Sequence, residues 1–249
     1  MKGKRFSMLV PVVIVIAGVL ALSHCAPFPF LFDAAAGKVS VWRIPQAPGQ
    51  RQIYLTFDDG PNPAITPELL DILRERQVKA TFFLIGAHIN ENTAPIVRRI
   101  FAEGHAVGQH SSNRWQMLHS PGDLAAELEE DADRMERIAG HRPCPLFRPH
   151  AGWRSIPMLA GVGRMNYRLV GWSWLNWDWV WFRKRTGDRI ASQVISNAAP
   201  GRIAVLHDGH HQNPRADRRY TLAAVPLIID RLREDGYGFA PLCETGIGQ

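Results

Sequence analysis

From Ile53 onward, short apolar runs alternate with longer amphipathic segments, the pattern of parallel strands joined by helices. Strands are expected at 53–57, 80–85, 105–109, 146–148, 167–172, 203–206 and 237–241. The intervening helices carry start and stop signals. Thr66 stands as a cap with Pro67 next and Glu68 in the first turn, and Ser120-Pro121-Gly122-Asp123 opens a second helix whose apolar positions are Leu124, Leu128, Met135 and Ile138. Gly104, Gly140 and Gly236 stand where helices should stop. Seven strand–helix units predict an α/β fold, a seven-stranded and somewhat distorted (β/α) barrel, rather than an open doubly wound sheet. In such barrels the site lies at the C-terminal ends of the strands, so the residues at those ends become the candidates.

The N-terminus follows a different pattern. Lys2, Lys4 and Arg5 precede an uncharged apolar run from Met8 to Ser23, which reads as an export signal. The run is longer than an ordinary signal core of roughly 7–15 residues and shorter than the roughly 20 of a spanning helix. Ala34-Ala35-Ala36 offers a cleavage site, whereas continuation through Phe28 to Phe32 would keep the segment in a bilayer; the second reading is favoured. Residues 1–36 are therefore expected to be a signal or membrane anchor with its linker, and residues 37–249 a single domain. The protein would be exported, either anchored at the cell envelope or periplasmic or extracellular. Cys25 follows His24, a poor context for a lipoprotein cysteine.

Of the 249 residues, those beyond the export segment suffice for one sizeable core but not comfortably for two. The net charge of +6 includes +2 from residues 1–36, and the remaining basic residues alternate with acids, as in "DILRERQ" and "DADRMERI". These read as solvated helix faces, which argues against a nucleic-acid partner. Cys144 and Cys243 could pair in an oxidising compartment or stay buried as small apolar groups.

The chemistry-bearing residues gather at predicted strand ends. The first strand ends in Asp58-Asp59-Gly60-Pro61, where a turn can bring both adjacent carboxylates to the barrel mouth. One could hold a metal while the other acts as general base for an activated water. Later strands end in Gln109-His110-Ser111, in Arg148-Pro149-His150-Ala151-Gly152, in Trp172-Ser173-Trp174 with Asp178-Trp179 beyond, and in Leu206-His207-Asp208-Gly209. Taken singly, each would be a surface turn; together they form an ordered set at one end of a barrel.

Through "TFDDGPNP", "ATFFLIG", "EGHAVGQHS", "FRP" and "VLHDG", the chain from about Gln52 to Leu242 resembles the polysaccharide deacetylase family, carbohydrate esterase family four, which includes chitooligosaccharide and peptidoglycan deacetylases. The resemblance implies a metal-dependent hydrolase that removes N-acetyl groups from sugars of an envelope or extracellular glycan. It implies Asp58 as general base, Asp59 and His110 as ligands of a divalent metal, commonly zinc, and Arg148 as the cation that holds Asp58. Asp178 would orient His207, the general acid. Trp179 and Val205 would line a slot for the acetyl methyl, and the backbone of Ala151 would donate to the oxyanion.

The chain departs from the family where it counts most. The third ligand is normally a second histidine in H-S/T-x-x-H, and here that position is Arg114. Catalytic zinc wants about three protein ligands. His119 and Asn113 are the candidate substitutes, with His150 and water as further options. Alternatively, the Arg114 guanidinium takes the cation's place beside Asp59, leaving a catalytically silent protein that binds a glycan or a partner. Leu175 and "RPHAG" are lesser departures.

Overall fold

The structure is a computed structural model and describes residues 2–174, 178 and 185–247. Strands β1 (Ser40–Val41), β2 (Gln52–Gly60), β3 (Thr81–Ile85), β4 (Ala106–His110), β5 (Leu146–Arg148), β6 (Arg168–Val170) and β7 (Ile203–His207) form one parallel sheet in the order β1-β6-β5-β4-β3-β2-β7. The sheet curls into a partial (β/α) barrel, and a parallel bridge between Trp174 and Ala204 brings the chain beyond β6 toward β7. The two-residue β8 (Gly238–Phe239) pairs with the start of β2, off this path. The predicted strand at 237–241 is thus a short appendage, and β1 takes the seventh place. Ser40–Val41 is too short to show an alternation of its own.

Eight helices accompany these strands among the described residues: α1 (Lys2–Cys25) and α2 (Leu31–Ala36) before β1, then α3 (Thr66–Glu75), α4 (Ala94–Ala102), α5 (Pro121–Ala139), α6 (Ile156–Arg164), α7 (Gly187–Ser196) and α8 (Arg219–Glu234). Ser120 caps α5, accepting the Asp123 amide through Oγ, and Gly140 closes it in the left-handed conformation at φ 76°. Thr66 does not cap α3: it is the first helical residue, and its hydroxyl instead accepts the Asn62 amide and bonds Asp208 Oδ2 at 2.5 Å. Tertiary partners claim a side chain that local sequence would have assigned to the helix end.

The two-residue period of the strands separates core from site. On β2, Ile53, Leu55 and Phe57 pack with Leu69, Leu73, Val97 and Ile228 of the helices, and on β7 Ala204 and Leu206 join the same cluster. Burying each such Leu, Ile or Phe side chain contributes about 1.5–3 kcal/mol. The alternate residues Tyr54, Thr56 and Asp58 on β2, and Ile203, Val205 and His207 on β7, occupy the other face, toward the barrel interior. Cys144 and Cys243 form a disulfide, with Cys25 free. No helix among the described residues is long and apolar enough to cross a membrane.

Candidate active site and metal centre

Strand register carries the candidate residues to one edge. Asp58 on β2 stands opposite His207 on β7, and His110 on β4 opposite Arg148 on β5. The β2–β3 register shifts between Asp58 and Gly60, and Asp59 adopts φ 71°, a left-handed conformation uncommon for a residue with a side chain. This irregularity answers the difficulty of two adjacent acids, since a regular strand would send them to opposite faces. The following motif closes over it. A Cβ at Gly209 would lie 2.0 Å from the Asp59 carbonyl oxygen, so that approach requires glycine.

Arg148 is fully buried and donates from Nη1 to Asp58 Oδ1 at 2.6 Å and to Thr56 Oγ1 at 2.7 Å. Its Nε and Nη2 donate to the carbonyls of Val170 and Gly171, and its guanidinium lies 4.0 Å from the Phe83 ring centre. Because the cation's donors are spread over two strands, Asp58 is held against a fixed charge. At the neighbouring edge, the Asp178 carboxylate accepts from the His207 backbone N at 2.9 Å and meets Nδ1 of its ring at 3.0 Å. Burial opposes a charge on His207, but Asp178 and then Asp59 outweigh it, and the His207 pKa stands raised.

His110 donates from Nδ1 to the Arg148 carbonyl at 2.8 Å, which turns Nε2 toward Asp59 Oδ1, 3.3 Å away. Asp59 Oδ1 is buried and has no hydrogen-bond partner among the described residues. A carboxylate oxygen and an imidazole nitrogen face each other in a closed space, an arrangement that suits a shared cation. Burial would raise the Asp59 pKa, yet the contact with His110 outweighs it and holds the carboxyl well below the usual carboxylate range.

The third member of this group is His150. One ligand atom each from Asp59, His110 and His150 lie within 4.8 Å of one another. The His150 backbone N donates to Ser111 Oγ at 2.5 Å, tying the turn after β5 to the residue that follows His110. Burial and the nearby His110 push the His150 pKa down to about 3, so its imidazole is neutral with a lone pair to offer. One carboxylate and two imidazoles, with His110 oriented by a backbone carbonyl, form a donor set that fits zinc or a similar divalent ion.

The other candidate ligands lie elsewhere. His119 stands 3.2 Å from Glu127, and Asn113 accepts the Trp115 amide at the start of a short helical turn. Arg114 is exposed, its guanidinium 5.6 Å from the Trp153 ring centre, and makes no ion pair among the described residues. Val205 packs with Trp42 and Trp172 in the interior, while Ala151 sits exposed at φ 52° in the turn beside His150. Trp179 lies outside the described residues, as does Leu175. Sequence reasoning did not single out Ser111, Trp42 or the buried Asp208, whose pKa burial pushes up to about 7 and whose carboxyl meets Thr66. For His150 a signal existed: a histidine gained in "RPHAG" beside one lost at Arg114.

The sequence profile of the family described as "Polysaccharide deacetylase" matches residues 46–170. A peptidoglycan-N-acetylglucosamine deacetylase of Bacillus cereus is 33% identical over 205 residues, covering 82% of this chain and 91% of the relative. A chitooligosaccharide deacetylase of Bradyrhizobium sp. is 35% identical over 204 residues, covering 78% and 90%. Among solved structures, a peptidoglycan N-acetylglucosamine deacetylase in complex with a benzamide derivative superposes with TM-score 0.70 at 29% identity, covering 83% of this chain and 92% of that one. A family 4 acetyl xylan esterase of Clostridium thermocellum in complex with a cobalt ion superposes at 0.69 with 32% identity, covering 78% and 90%. With profile, relatives and fold in agreement, the chain belongs to the polysaccharide deacetylase family, hydrolases of carbon–nitrogen amide bonds other than peptide bonds.

Proposed function

We propose that this protein is a divalent-metal-dependent deacetylase, with zinc the metal its donors suit best, that removes N-acetyl groups from sugars of an envelope or extracellular glycan. The observation that carries the reading is Asp59 Oδ1, without a hydrogen-bond partner among the described residues and facing His110 Nε2, with His150 alongside and Asp58 and His207 at the same edge. Asp59, His110 and His150 would hold the ion, which when bound acidifies water from a pKa of 15.7 toward about 7 and polarises the amide carbonyl.

The remaining steps belong to the side chains. Arg148 engages Asp58 through Oδ1, and Oδ2 takes the proton of the attacking water as the C–O bond forms. His207, its pKa raised by Asp178, gives its proton to the nitrogen as the C–N bond breaks, releasing acetate and a free amino sugar. The Ala151 amide serves the oxyanion, and Val205 with Trp42 and Trp172 forms the apolar floor that receives the methyl group. Export through residues 1–36 would bring the enzyme to its glycan.

The silent alternative has less support. A guanidinium standing in for the metal should be buried against Asp59, whereas Arg114 is exposed over Trp153. Acetate release from N-acetylated chitooligosaccharides and from peptidoglycan by the full chain is the direct test. It should vanish on chelation and return with added zinc; glycan binding with no acetate released in either state would sink the proposal.

The alkaline limb of the pH profile gives a second expectation. An acid catalyst works only while protonated, so activity should persist below the raised His207 pKa and fall as pH rises through it. Asp178→Asn removes the main group raising that pKa and should move the alkaline limb of kcat/KM to lower pH. A limb that stays in place would mean that another group supplies the proton.

A further inference from the structure

The stretch between the N-terminal apolar helix and the barrel has the look of a disposable leader, yet the barrel is built around it. Arg154 is fully buried, and its five N–H donors all find acceptors. Nε and Nη2 reach Asp33 Oδ2 at 2.9 and 2.6 Å, Nη1 reaches the carbonyls of Ala26 and Gly152 at 2.8 and 2.9 Å, and Nη2 also reaches the carbonyl of Phe28 at 2.8 Å. Only the Gly152 carbonyl lies outside residues 26–33. The backbone of Arg154 is engaged as well, its N donating to the His24 carbonyl at 2.9 Å and its carbonyl meeting His24 Nδ1 at 2.8 Å.

Asp33 passes this anchorage inward. Besides Arg154, its carboxylate accepts from the Phe30 amide at 2.8 Å, from Ser40 Oγ at 2.5 Å and from Trp42 Nε1 at 3.0 Å. The Trp42 ring meets Trp172 edge-on at 5.8 Å, and with Val205 the two form the interior cluster beside the site. Trp172 in turn presses on the turn that carries His150: a Cβ at Gly152 would lie 2.9 Å from its ring. Gly152 has φ 72° and its carbonyl is held by Arg154, so the turn is fixed from both sides.

We propose that Asp33 and Arg154 are positioning residues that make residues 24–42 a permanent part of the catalytic domain, setting the interior floor and the His150 turn, so that the mature chain does not begin after Ala36. The effect on His150 rests on the metal reading above; the place of the segment in the fold does not. Cleavage after Ala36 would strip a fully buried cation of its counter-ion and of all but one of its acceptors, which leaves an uncompensated charge in the core.

The test uses the full chain, expressed with export intact. N-terminal sequencing and intact mass of the mature protein should show a start at or before His24, whether or not the apolar helix is kept. In the full chain, Asp33→Asn should lower Tm by about 10 °C, and Arg154→Met should lower it comparably. Where the Asp33→Asn protein is folded, its zinc affinity should fall several-fold. The double Cys144→Ala/Cys243→Ala variant, altered at the opposite end of β5 from the turn, should keep wild-type zinc affinity. A mature chain beginning at Gly37, or wild-type Tm in Asp33→Asn, overturns the proposal. Equal loss of zinc in the cysteine variant removes the positioning role. Absence of zinc binding in the wild type condemns the metal reading, and the N-terminus and the Tm values still decide this one.

Discussion

His150→Ala is expected to lower zinc affinity by more than about 100-fold, since even groups that only support a metal's ligands cost roughly 10–100-fold when removed. Its neighbours give the reason. With His150 gone, Asp59 and His110 alone face the ion, and Asp59 Oδ1 has no other partner among the described residues. Arg114→Ala separates this arrangement from the silent one. Because Arg114 lies exposed over Trp153, its removal should leave zinc affinity within a few-fold of wild type. Titration calorimetry on both variants checks the pair. A large gain in zinc affinity on removing Arg114, with none lost on removing His150, would show that the guanidinium holds the metal's place.

Asp58→Asn should reduce turnover by about 10²–10⁴-fold, the usual contribution of a positioned general base. It should also lower stability by about 3–5 kcal/mol, because Arg148 is fully buried and its 2.6 Å bond to the Asp58 carboxylate would lose its charge partner. Zinc affinity should change little, since the metal candidates are Asp59, His110 and His150. Kinetics well below the variant's Tm, run with calorimetric unfolding and a zinc titration, keep the three effects apart. Wild-type turnover in Asp58→Asn would move the base to another residue, and full loss of zinc would make Asp58 a ligand.

Most of the frame was legible because it depends on short-range pattern. Apolar runs bounded by amphipathic segments marked β2 to β7 to within a few residues, and the capping Ser120 and the terminating Gly140 marked α5. Side-chain alternation then places Val205 and His207 on one face of β7, and Thr56 with Asp58 on one face of β2. Local rules failed where a distant group made the better offer. Thr66 left its helix end for Asp208 and Asn62, and β1 exists because Ser40–Val41 pairs with Leu169 and Val170, not because two residues can signal a strand.

The site divides along the same line. Residue types at strand ends, read with the family's motifs, single out Asp58, Asp59, His110, Arg148, Asp178 and His207 as candidates, and the structure brings them to one edge because parallel strands of a barrel deliver their ends to one rim. Spacing along the chain could not choose among Asn113, His119 and His150, since a ligand set is a matter of distance across strands. The β4–β5 register and the Ser111 contact bring His150 to Asp59, while Glu127 takes His119. Nor could the alanines and aromatic residues before Val39 reveal that Arg154 would spend four of its five hydrogen bonds there. Composition and periodicity specify what each segment can become; which buried charge meets which acceptor is settled only when distant segments close on one another and every desolvated donor must find a partner.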